Sequence, residues 1–387
     1  MSFRTTTKRI LIVATLLSAL TLTGLFAAAC GEEEPSTTST TAAPQTTTTA
    51  AQTTTTAAPT TSSTEPPLSA SLSGAGATFP EPLYVEWIGE FQSLHPKVTI
   101  NYQGIGSGGG IEQFSKLTVD FGASDAPMKD EEIAAAEAAS GAKVLHIPTV
   151  FGAVTLAYNL PGVTELKLDP DTLAGIFLGE ITKWNDAKLT ALNPGVTLPD
   201  QPIQVVHRSD SSGTTSIFTG YLTKVNKTWA EKVGKGKEVP WPVGVGGQGN
   251  DGVAAVVKQQ AGSIGYVELS YALEAGLSVA ALRNQAGNFV TPSLASTSAA
   301  AQGAQFPEDL RFSVADSPNP EAYPICGATW ILVYDQMKDP AKAAALKAFL
   351  TWALTEGTPI AEELGYAPLP EDLRAKALAK VEQISAK

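Results

Sequence analysis

One local pattern recurs along this chain of 387 residues: a short apolar strand, a turn rich in glycine and hydroxyl side chains, and a helix. In the clearest case an apolar run over 203–206 leads into the turn His-Arg-Ser-Asp-Ser-Ser-Gly-Thr-Thr-Ser, and helical spacing follows over 217–222. Comparable turns lie at 74–80, 104–110 and 244–252. Alternating strands and helices form open α/β sheets, which bind ligands beyond the carboxyl ends of their strands. We therefore predict an α/β fold with a ligand site built from these turns.

The turn after residue 206 offers hydrogen-bond donors for a small oxyanion. A helix N-terminus has unpaired N–H groups and a partial positive charge. Ser212 and Thr214 add hydroxyl donors, and Gly213 lets the backbone approach a ligand closely. Arg208 supplies a planar fork of N–H groups matched to two oxygens, and Asp210 can hold that fork in place. In the alternative, structural interpretation Ser212 caps the helix, and Arg208 and Asp210 form a surface ion pair.

Asp125 is a carboxylate at the end of a predicted strand over 119–125. A carboxylate in an anion site repels the ligand unless the ligand brings a proton. Phosphate carries one or two protons near neutral pH and sulfate carries none, so an acceptor here favours phosphate by up to roughly 10⁴-fold. In the alternative interpretation Asp125 caps a helix that begins at Pro127.

The N-terminal region has the composition of an export signal. Arg4, Lys8 and Arg9 precede an uncharged run over 10–29, which is typical of a secretory signal peptide over residues 1–29. Cys30 directly follows three alanines and resembles the lipidated cysteine of a bacterial lipoprotein. A plain signal peptide and an uncleaved membrane helix are the alternatives.

The residues that follow Cys30 predict a tether and then two domains. The predicted tether is 30–67, and its residues 35–67 are nearly all Thr, Ala, Pro, Ser and Gln, a composition that cannot bury apolar area and stays disordered. The rest of the chain is long enough for two domains. We expect an extracytoplasmic protein that is lipid-anchored to the outer face of the cell membrane, in the periplasm or the cell-wall space.

Composition and spacing argue against several functional classes. A net charge of −12 without a basic stripe argues against nucleic-acid binding, so an anion must be held by local donors. His95, His146 and His207 lack metal-ligand spacing, and no Gly-x-Ser-x-Gly elbow is present. Gly-x-Gly-x-x-Gly at 104–109, with Asp125 near the distance of a ribose contact, fits a dinucleotide fingerprint, but nicotinamide cofactors are scarce outside the cell. We expect no metal, no cofactor and no enzymatic activity.

Four ordered segments resemble the substrate-binding protein of the bacterial high-affinity phosphate ABC transporter. They are Gly-Ala-Gly-Ala-Thr-Phe-Pro at 74–80, Tyr-Gln-Gly-Ile-Gly-Ser-Gly-Gly-Gly at 102–110, Val-Asp-Phe-Gly-Ala-Ser-Asp-Ala-Pro at 119–127 and Arg-Ser-Asp-Ser-Ser-Gly-Thr at 208–214. The segments at 241–252 and 265–268 share the likeness, which runs from about Ser71 to about Leu369.

The resemblance implies a two-domain periplasmic-binding-protein fold, similar to type II, with a hinge between two Rossmann-like α/β lobes. Lobe I would comprise 68–147 and 324–387, and lobe II would comprise 148–323. The two lobes would close on one inorganic phosphate. A monomer with no catalytic step would then deliver the phosphate to ABC transporter permease subunits with a cytoplasmic ATPase.

The resemblance also implies which residues bind phosphate. Thr78 and Phe79 would donate through backbone N–H groups, with the Thr78 hydroxyl, and Ser107 would donate through its hydroxyl and N–H. Asp125 would accept the phosphate proton. The guanidinium of Arg208 would pair with phosphate oxygens. The full predicted set is Thr78, Phe79, Ser107, Asp125, Arg208, Asp210, Ser212, Gly213 and Thr214. A site for another tetrahedral oxyanion such as sulfate, and an exported phosphatase-like enzyme, are the alternatives.

Overall fold

The structure, a computed structural model, describes residues 67–387. The predicted signal peptide, Cys30 and all but the last residue of the predicted linker lie outside the described residues. Among the described residues, no helix has both the length and the apolar character needed to cross a membrane.

The described residues alternate between strands and helices, as the recurring turns predict. The strands are β1 (Ala70–Gly76), β2 (Val98–Gly104), β3 (Phe121–Ser124), β4 (Val144–Asn159), β5 (Lys167–Leu168), β6 (Gln204–Arg208), β7 (Val245–Gly247), β8 (Ser263–Glu268), β9 (Ser278–Val279), β10 (Ala281–Arg283), β11 (Phe289–Val290), β12 (Cys326–Tyr334), β13 (Gln336–Met337), β14 (Ala367–Pro368) and β15 (Ser385–Ala386). The helices are α1 (Glu81–Leu94), α2 (Ser107–Ser115), α3 (Asp130–Ser140), α4 (Pro170–Phe177), α5 (Ala187–Leu192), α6 (Gly213–Val225), α7 (Lys227–Lys232), α8 (Gly249–Gln259), α9 (Leu269–Ala275), α10 (Leu294–Ala301), α11 (Pro340–Leu354), α12 (Thr358–Glu363) and α13 (Glu371–Val381).

Ten of the strands form one mixed sheet with the order β2-β1-β3-β12-β4-β8-β6-β7, and β14 and β9 also pair with β4. Strands β1, β2 and β3 are parallel to one another, as are β6, β7 and β8. Antiparallel pairs of β12 with β3 and β4, and of β4 with β8, join the two parallel groups. The sheet therefore has two α/β halves that meet along β4.

Strand β4 joins the halves because its main partner changes along its length. Residues Val144 to Ala153 pair with β12, and residues Val154 to Asn159 pair with β8. Every residue between the two ends of β4 is buried, which is why the strand is a nearly continuous apolar run. Burial, with a smaller contribution from a nearby arginine, lowers the pKa of His146 in this strand to about 4. This histidine is neutral and accepts a hydrogen bond from a backbone N–H at 3.1 Å, so its role is structural.

Three helices begin before their first apolar residues, which are Ile111, Ile217 and Val253. Helix α2 begins at Ser107, α6 at Gly213 and α8 at Gly249, each inside its glycine-containing turn. Periodicity detects a helix from its apolar residues, whereas the first turns here consist of glycine and polar residues. Their small side chains expose backbone N–H groups on the side from which the preceding strand arrives.

Four tryptophans have structural roles. They are almost fully buried, and each donates its indole N–H to a backbone carbonyl oxygen. These hydrogen bonds run from Trp87 to Gly357, Trp184 to Gly262, Trp229 to Gly234 and Trp330 to Leu310. All four belong to the hydrophobic core against which the strands pack.

Candidate anion-binding site

Four strand-to-helix turns meet where the two halves of the sheet face each other. They follow β1, β2, β6 and β7 and lead into α1, α2, α6 and α8. Hydrogen bonds join the first half to the second: the Ser107 hydroxyl contacts the N–H of Gly213, and the Thr78 hydroxyl contacts Asn250. The local pattern that recurs in the sequence is thus assembled into one site.

Ser107 lies at the centre of this contact. Its Oγ accepts hydrogen bonds from the N–H groups of Gly213 and Asp125, each at 3.1 Å. A Cβ atom on Gly213 would lie 2.5 Å from the Ser107 Oγ and 2.6 Å from the Asp125 carboxylate. A glycine is therefore required here so that α6 can approach the end of β3.

Asp125 follows β3 and is 3% exposed. Its Oδ1 accepts a hydrogen bond from the Thr329 hydroxyl at 2.8 Å, and its Oδ2 lies 3.4 Å from the Ser107 hydroxyl. Burial raises the pKa of Asp125 to about 7, although the Thr329 hydrogen bond and the charge of Arg208 act in the opposite direction. The helix-capping interpretation is wrong, because α3 begins later and has Lys129 at its N-cap.

Arg208 ends β6, and its side chain is 1% exposed. Its Nε donates to Asp210 Oδ1 at 2.7 Å, and its Nη2 donates to Oδ2 of the same carboxylate. Nη1 donates to the Thr214 hydroxyl at 3.3 Å. The alternative of a surface ion pair is wrong, because the side chains of Arg208 and Asp210 are only 1% and 15% exposed. Asp210 holds the guanidinium plane in a fixed orientation.

Asp210 remains a charged carboxylate in this setting. Burial acts to raise its pKa, but the hydrogen bonds and charge of Arg208 outweigh burial and hold the pKa below its usual range. Its Oδ1 also accepts the N–H of Gly249 at 3.1 Å, which ties the start of α8 to the turn before α6. The ion pair therefore fixes two of the four turns relative to each other.

Ser212 is the N-cap of α6, and its Oγ accepts the N–H of Thr215 at 3.1 Å. This is the contact that the structural interpretation predicts for Ser212. Accepting uses an oxygen lone pair, so the O–H hydrogen remains available as a donor. Ser212 and Thr214 are both fully buried on either side of Gly213.

Thr78 and Phe79 stand between β1 and α1, and both are buried. Their backbone carbonyl oxygens accept hydrogen bonds from tyrosine hydroxyls, Thr78 from Tyr271 at 2.5 Å and Phe79 from Tyr366 at 2.7 Å. The Phe79 ring packs where Gly152 lies in β4, at a position with no room for a side chain. This turn is therefore rigid even though it lacks a side-chain N-cap.

Two residues outside the predicted set form side chain–side chain hydrogen bonds with members of the set. Asn250, in the first turn of α8, contacts the hydroxyls of Thr78 and Thr214. Thr329, in β12, contacts Asp125. The turn at 244–252 is a visible signal for Asn250, whereas no local pattern distinguishes Thr329.

Two clefts reach the site. One, of about 180 Å³, is lined by Thr78 and Asp210 among others. The other, of about 860 Å³, is lined by Asp125 and four lysines among others. These lysines are Lys129, Lys224, Lys235 and Lys237. Among residues 67–387 there is no cluster of His, Cys, Asp and Glu that could hold a metal ion.

Comparison with known proteins places this geometry in a family. A model of the PBP superfamily domain matches residues 38–356. The chain is 44% identical over 317 residues to the phosphate-binding protein PstS of Pasteurella multocida, an alignment that covers 80% of this chain and 89% of the relative. It is 43% identical over 343 residues to the PstS of Methanocaldococcus jannaschii, covering 83% and 88% of the two chains. The chain belongs to the PstS family of the PBP superfamily.

Solved structures show the fold of this family. The chain is similar to the phosphate-binding protein of Stenotrophomonas maltophilia, with a TM-score of 0.65 and 21% identity over 80% of this chain and 94% of the other. The predicted two-domain periplasmic-binding-protein fold is confirmed. The structure brings all nine residues of the predicted set to one place, and their roles toward a ligand remain predictions.

Proposed function

We propose that this protein binds inorganic phosphate outside the cytoplasm and delivers it to an ABC importer, made of membrane permease subunits and a cytoplasmic ATPase. The observation that carries this proposal is the convergence of hydroxyl, amide and guanidinium donors around one buried acceptor, Asp125. The names of the PstS relatives support phosphate as the ligand. They also support a binding role over a catalytic one.

In the proposed complex the donors hold the unprotonated phosphate oxygens. These donors are the N–H groups and hydroxyls of Thr78, Phe79, Ser107, Ser212, Gly213 and Thr214, together with the Arg208 guanidinium. Asp210 orients that guanidinium. Asp125 accepts the phosphate proton and thereby rejects sulfate, which has no proton to give.

The proposed lobes are 68–147 with 324–387, and 148–323. The exchange of partners within β4 supports a connection at this strand. The contacts of Ser107 with Gly213 and of Thr78 with Asn250 join the two proposed lobes at the site. A ligand that binds donors from both lobes favours their closed arrangement, which is the basis for hinge closure.

The proposed location depends on the N-terminal segment. We infer that residues 1–29 are removed as a signal peptide, that Cys30 is lipidated, and that the tether holds a monomer at the outer face of the membrane. Mass spectrometry of the protein from its native host should find a lipid on Cys30. A mature chain without a lipid would refute the anchor. Light scattering at a mass above one chain would refute the monomer.

Calorimetry on the full chain with phosphate, arsenate and sulfate tests the function. Phosphate and arsenate should bind one per chain, and sulfate should bind far more weakly at pH 8. Sulfate binding as tight as phosphate would indicate a different oxyanion receptor. Turnover of a chromogenic phosphate ester would indicate an enzyme instead.

A further inference from the structure

The direction of the hydroxyl hydrogens decides what an oxyanion site accepts. A threonine hydroxyl has one hydrogen to donate and two lone pairs that accept. If its hydrogen points toward the ligand, the hydroxyl stabilises an unprotonated oxygen. If a neighbouring residue takes that hydrogen, the hydroxyl presents lone pairs and repels the same oxygen.

Asn250 has a defined amide orientation. It is fully buried, and its Oδ1 accepts the backbone N–H of Glu268 at 3.0 Å. A backbone N–H can only donate, so the amide atom that faces Glu268 must be the oxygen. The amide nitrogen therefore faces the site, where Nδ2 lies 2.9 Å from Thr78 Oγ1 and 3.2 Å from Thr214 Oγ1.

Both threonine hydroxyls receive a second hydrogen bond from a group that cannot accept one. Thr78 Oγ1 accepts the backbone N–H of Asn250 at 3.2 Å. Thr214 Oγ1 accepts from the Arg208 guanidinium at 3.3 Å, and a guanidinium has donors only. Two accepted bonds occupy the two lone pairs of each hydroxyl. The hydrogen of each hydroxyl must then point elsewhere.

We propose that Asn250 is a positioning residue that fixes the Thr78 and Thr214 hydroxyls as donors to unprotonated phosphate oxygens. This inference rests on the proposed function and deepens it. The amide acts through the two threonines and needs no contact with phosphate. Asp125 then faces the phosphate oxygen that carries a proton, whereas Thr78 and Thr214 face oxygens that carry none.

Two substitutions of Asn250 with phosphate calorimetry on the full chain test this role. Asn250→Leu removes the amide donors without adding charge, frees the hydroxyls to rotate, and should raise the phosphate Kd by about tenfold. Asn250→Asp offers acceptors to both hydroxyls and turns their hydrogens away from the ligand. It should raise Kd by roughly 100-fold, since two hydrogen bonds to a charged ligand are lost.

A double-mutant cycle separates this role from a general structural one. In a Thr78→Val or Thr214→Val background one of the two hydroxyls is already absent, so the effect of Asn250→Leu should fall to about threefold in each. An effect of the same size with and without the hydroxyls would overturn the proposal. So would an unchanged Kd in both Asn250 variants. The same cycle with Asn250→Asp corrects for the added negative charge, because that charge weakens phosphate binding whether or not the threonine hydroxyl is present.

Asn193 provides a matched control. It is 3% exposed, and its amide bonds to backbone groups of Lys167 and Leu189, outside the site. Asn193→Leu should lower the melting temperature and leave the phosphate Kd unchanged. A Kd change as large as that of Asn250→Leu would show that any buried asparagine has this effect. If the unsubstituted protein fails to bind phosphate, the proposed function fails, whereas binding that ignores position 250 overturns only the role of Asn250.

Discussion

The preference for phosphate over sulfate should depend on pH, because Asp125, which we propose distinguishes the two anions, titrates near neutrality. Burial raises the pKa of Asp125 to about 7, against the opposing effects of Thr329 and Arg208. Above this pH the carboxylate is ionised and repels a sulfate oxygen. Below it the carboxyl carries a proton and can donate a hydrogen bond to that same oxygen.

The size of the effect follows from the protonated fraction. With a pKa of about 7, roughly a tenth of Asp125 carries a proton at pH 8 and roughly nine tenths at pH 6. If sulfate binds only the protonated form, its affinity should rise about tenfold from pH 8 to pH 6 and then level off. Phosphate can share its own proton with the ionised form, so its affinity should respond less.

Calorimetry with sulfate at pH 6, 7 and 8 and constant ionic strength measures this response. Asp125→Asn should abolish it and should narrow the gap between phosphate and sulfate, because a neutral amide can donate to either anion. Asp169→Asn is a matched control, since Asp169 is 8% exposed but caps α4 and pairs with Arg283. A sulfate affinity that is flat across this range in the unsubstituted protein, or a phosphate-to-sulfate ratio unchanged by Asp125→Asn, would refute the role of Asp125 as the proton acceptor.

Three further results are expected from the full chain. Arg208→Ala should weaken phosphate binding by about 2–5 kcal/mol, because an enclosed charge partner is lost, and near-native affinity in calorimetry would assign Arg208 to structure alone. Gly213→Ala should raise the phosphate Kd at least about tenfold, since its Cβ would lie 2.5 Å from the Ser107 hydroxyl, and an unchanged Kd would show that the turn can move aside. The melting temperature without phosphate should fall as the pH rises from 5 to 8. Burial raises the folded-state pKa values of Asp125 (to about 7) and Glu268 (to about 8), so the protonated carboxyls stabilise the folded state fully below their unfolded pKa values. This contribution to stability is lost as the pH rises through the folded-state values. A flat or rising melting temperature over this pH range would contradict those values.

The turns were predictable from sequence because their chemistry is local. Glycine, serine and threonine between an apolar strand and an apolar-periodic helix identify a helix N-terminus without knowledge of the fold. The position of Asp125 at a strand end was predictable for the same reason. The starting residues of α2, α6 and α8 were not, because the first turn of each helix has no apolar residue to mark it.

Contacts that depend on strand pairing had no such signal. Thr329 reaches Asp125 because β12 pairs antiparallel with β3, with Trp330 opposite Ser124. The two contacting residues are 204 positions apart in the chain. Asn250 likewise meets Thr78 only after the two halves of the sheet come together. Local spacing identifies the pieces of such a site, whereas the fold determines which side chains complete it.

Ser212 shows that a structural and a functional interpretation need not exclude each other. Its oxygen caps α6, as the structural interpretation predicts, and its hydrogen remains a donor. Ser107 differs in one respect, because its oxygen accepts two backbone N–H groups and its hydroxyl also donates to Asp125 Oδ2 at 3.4 Å. The Ser212 hydrogen is therefore left for an anion, whereas the Ser107 hydroxyl must turn from this carboxylate to donate to one.

The charges of the site explain why these hydrogens matter. Arg208 is the one cation among the nine predicted residues, and Asp210 lies against it with a carboxylate that stays ionised. When Asp125 is also ionised, the three charged side chains sum to −1, in a chain whose net charge is −12. Coulomb attraction from these side chains cannot then account for anion binding at high pH. Within the predicted set, the favourable contribution must come from oriented dipoles, namely hydroxyls and amides whose direction is fixed before the ligand arrives. Residues that set this direction therefore contribute to affinity without touching the ligand.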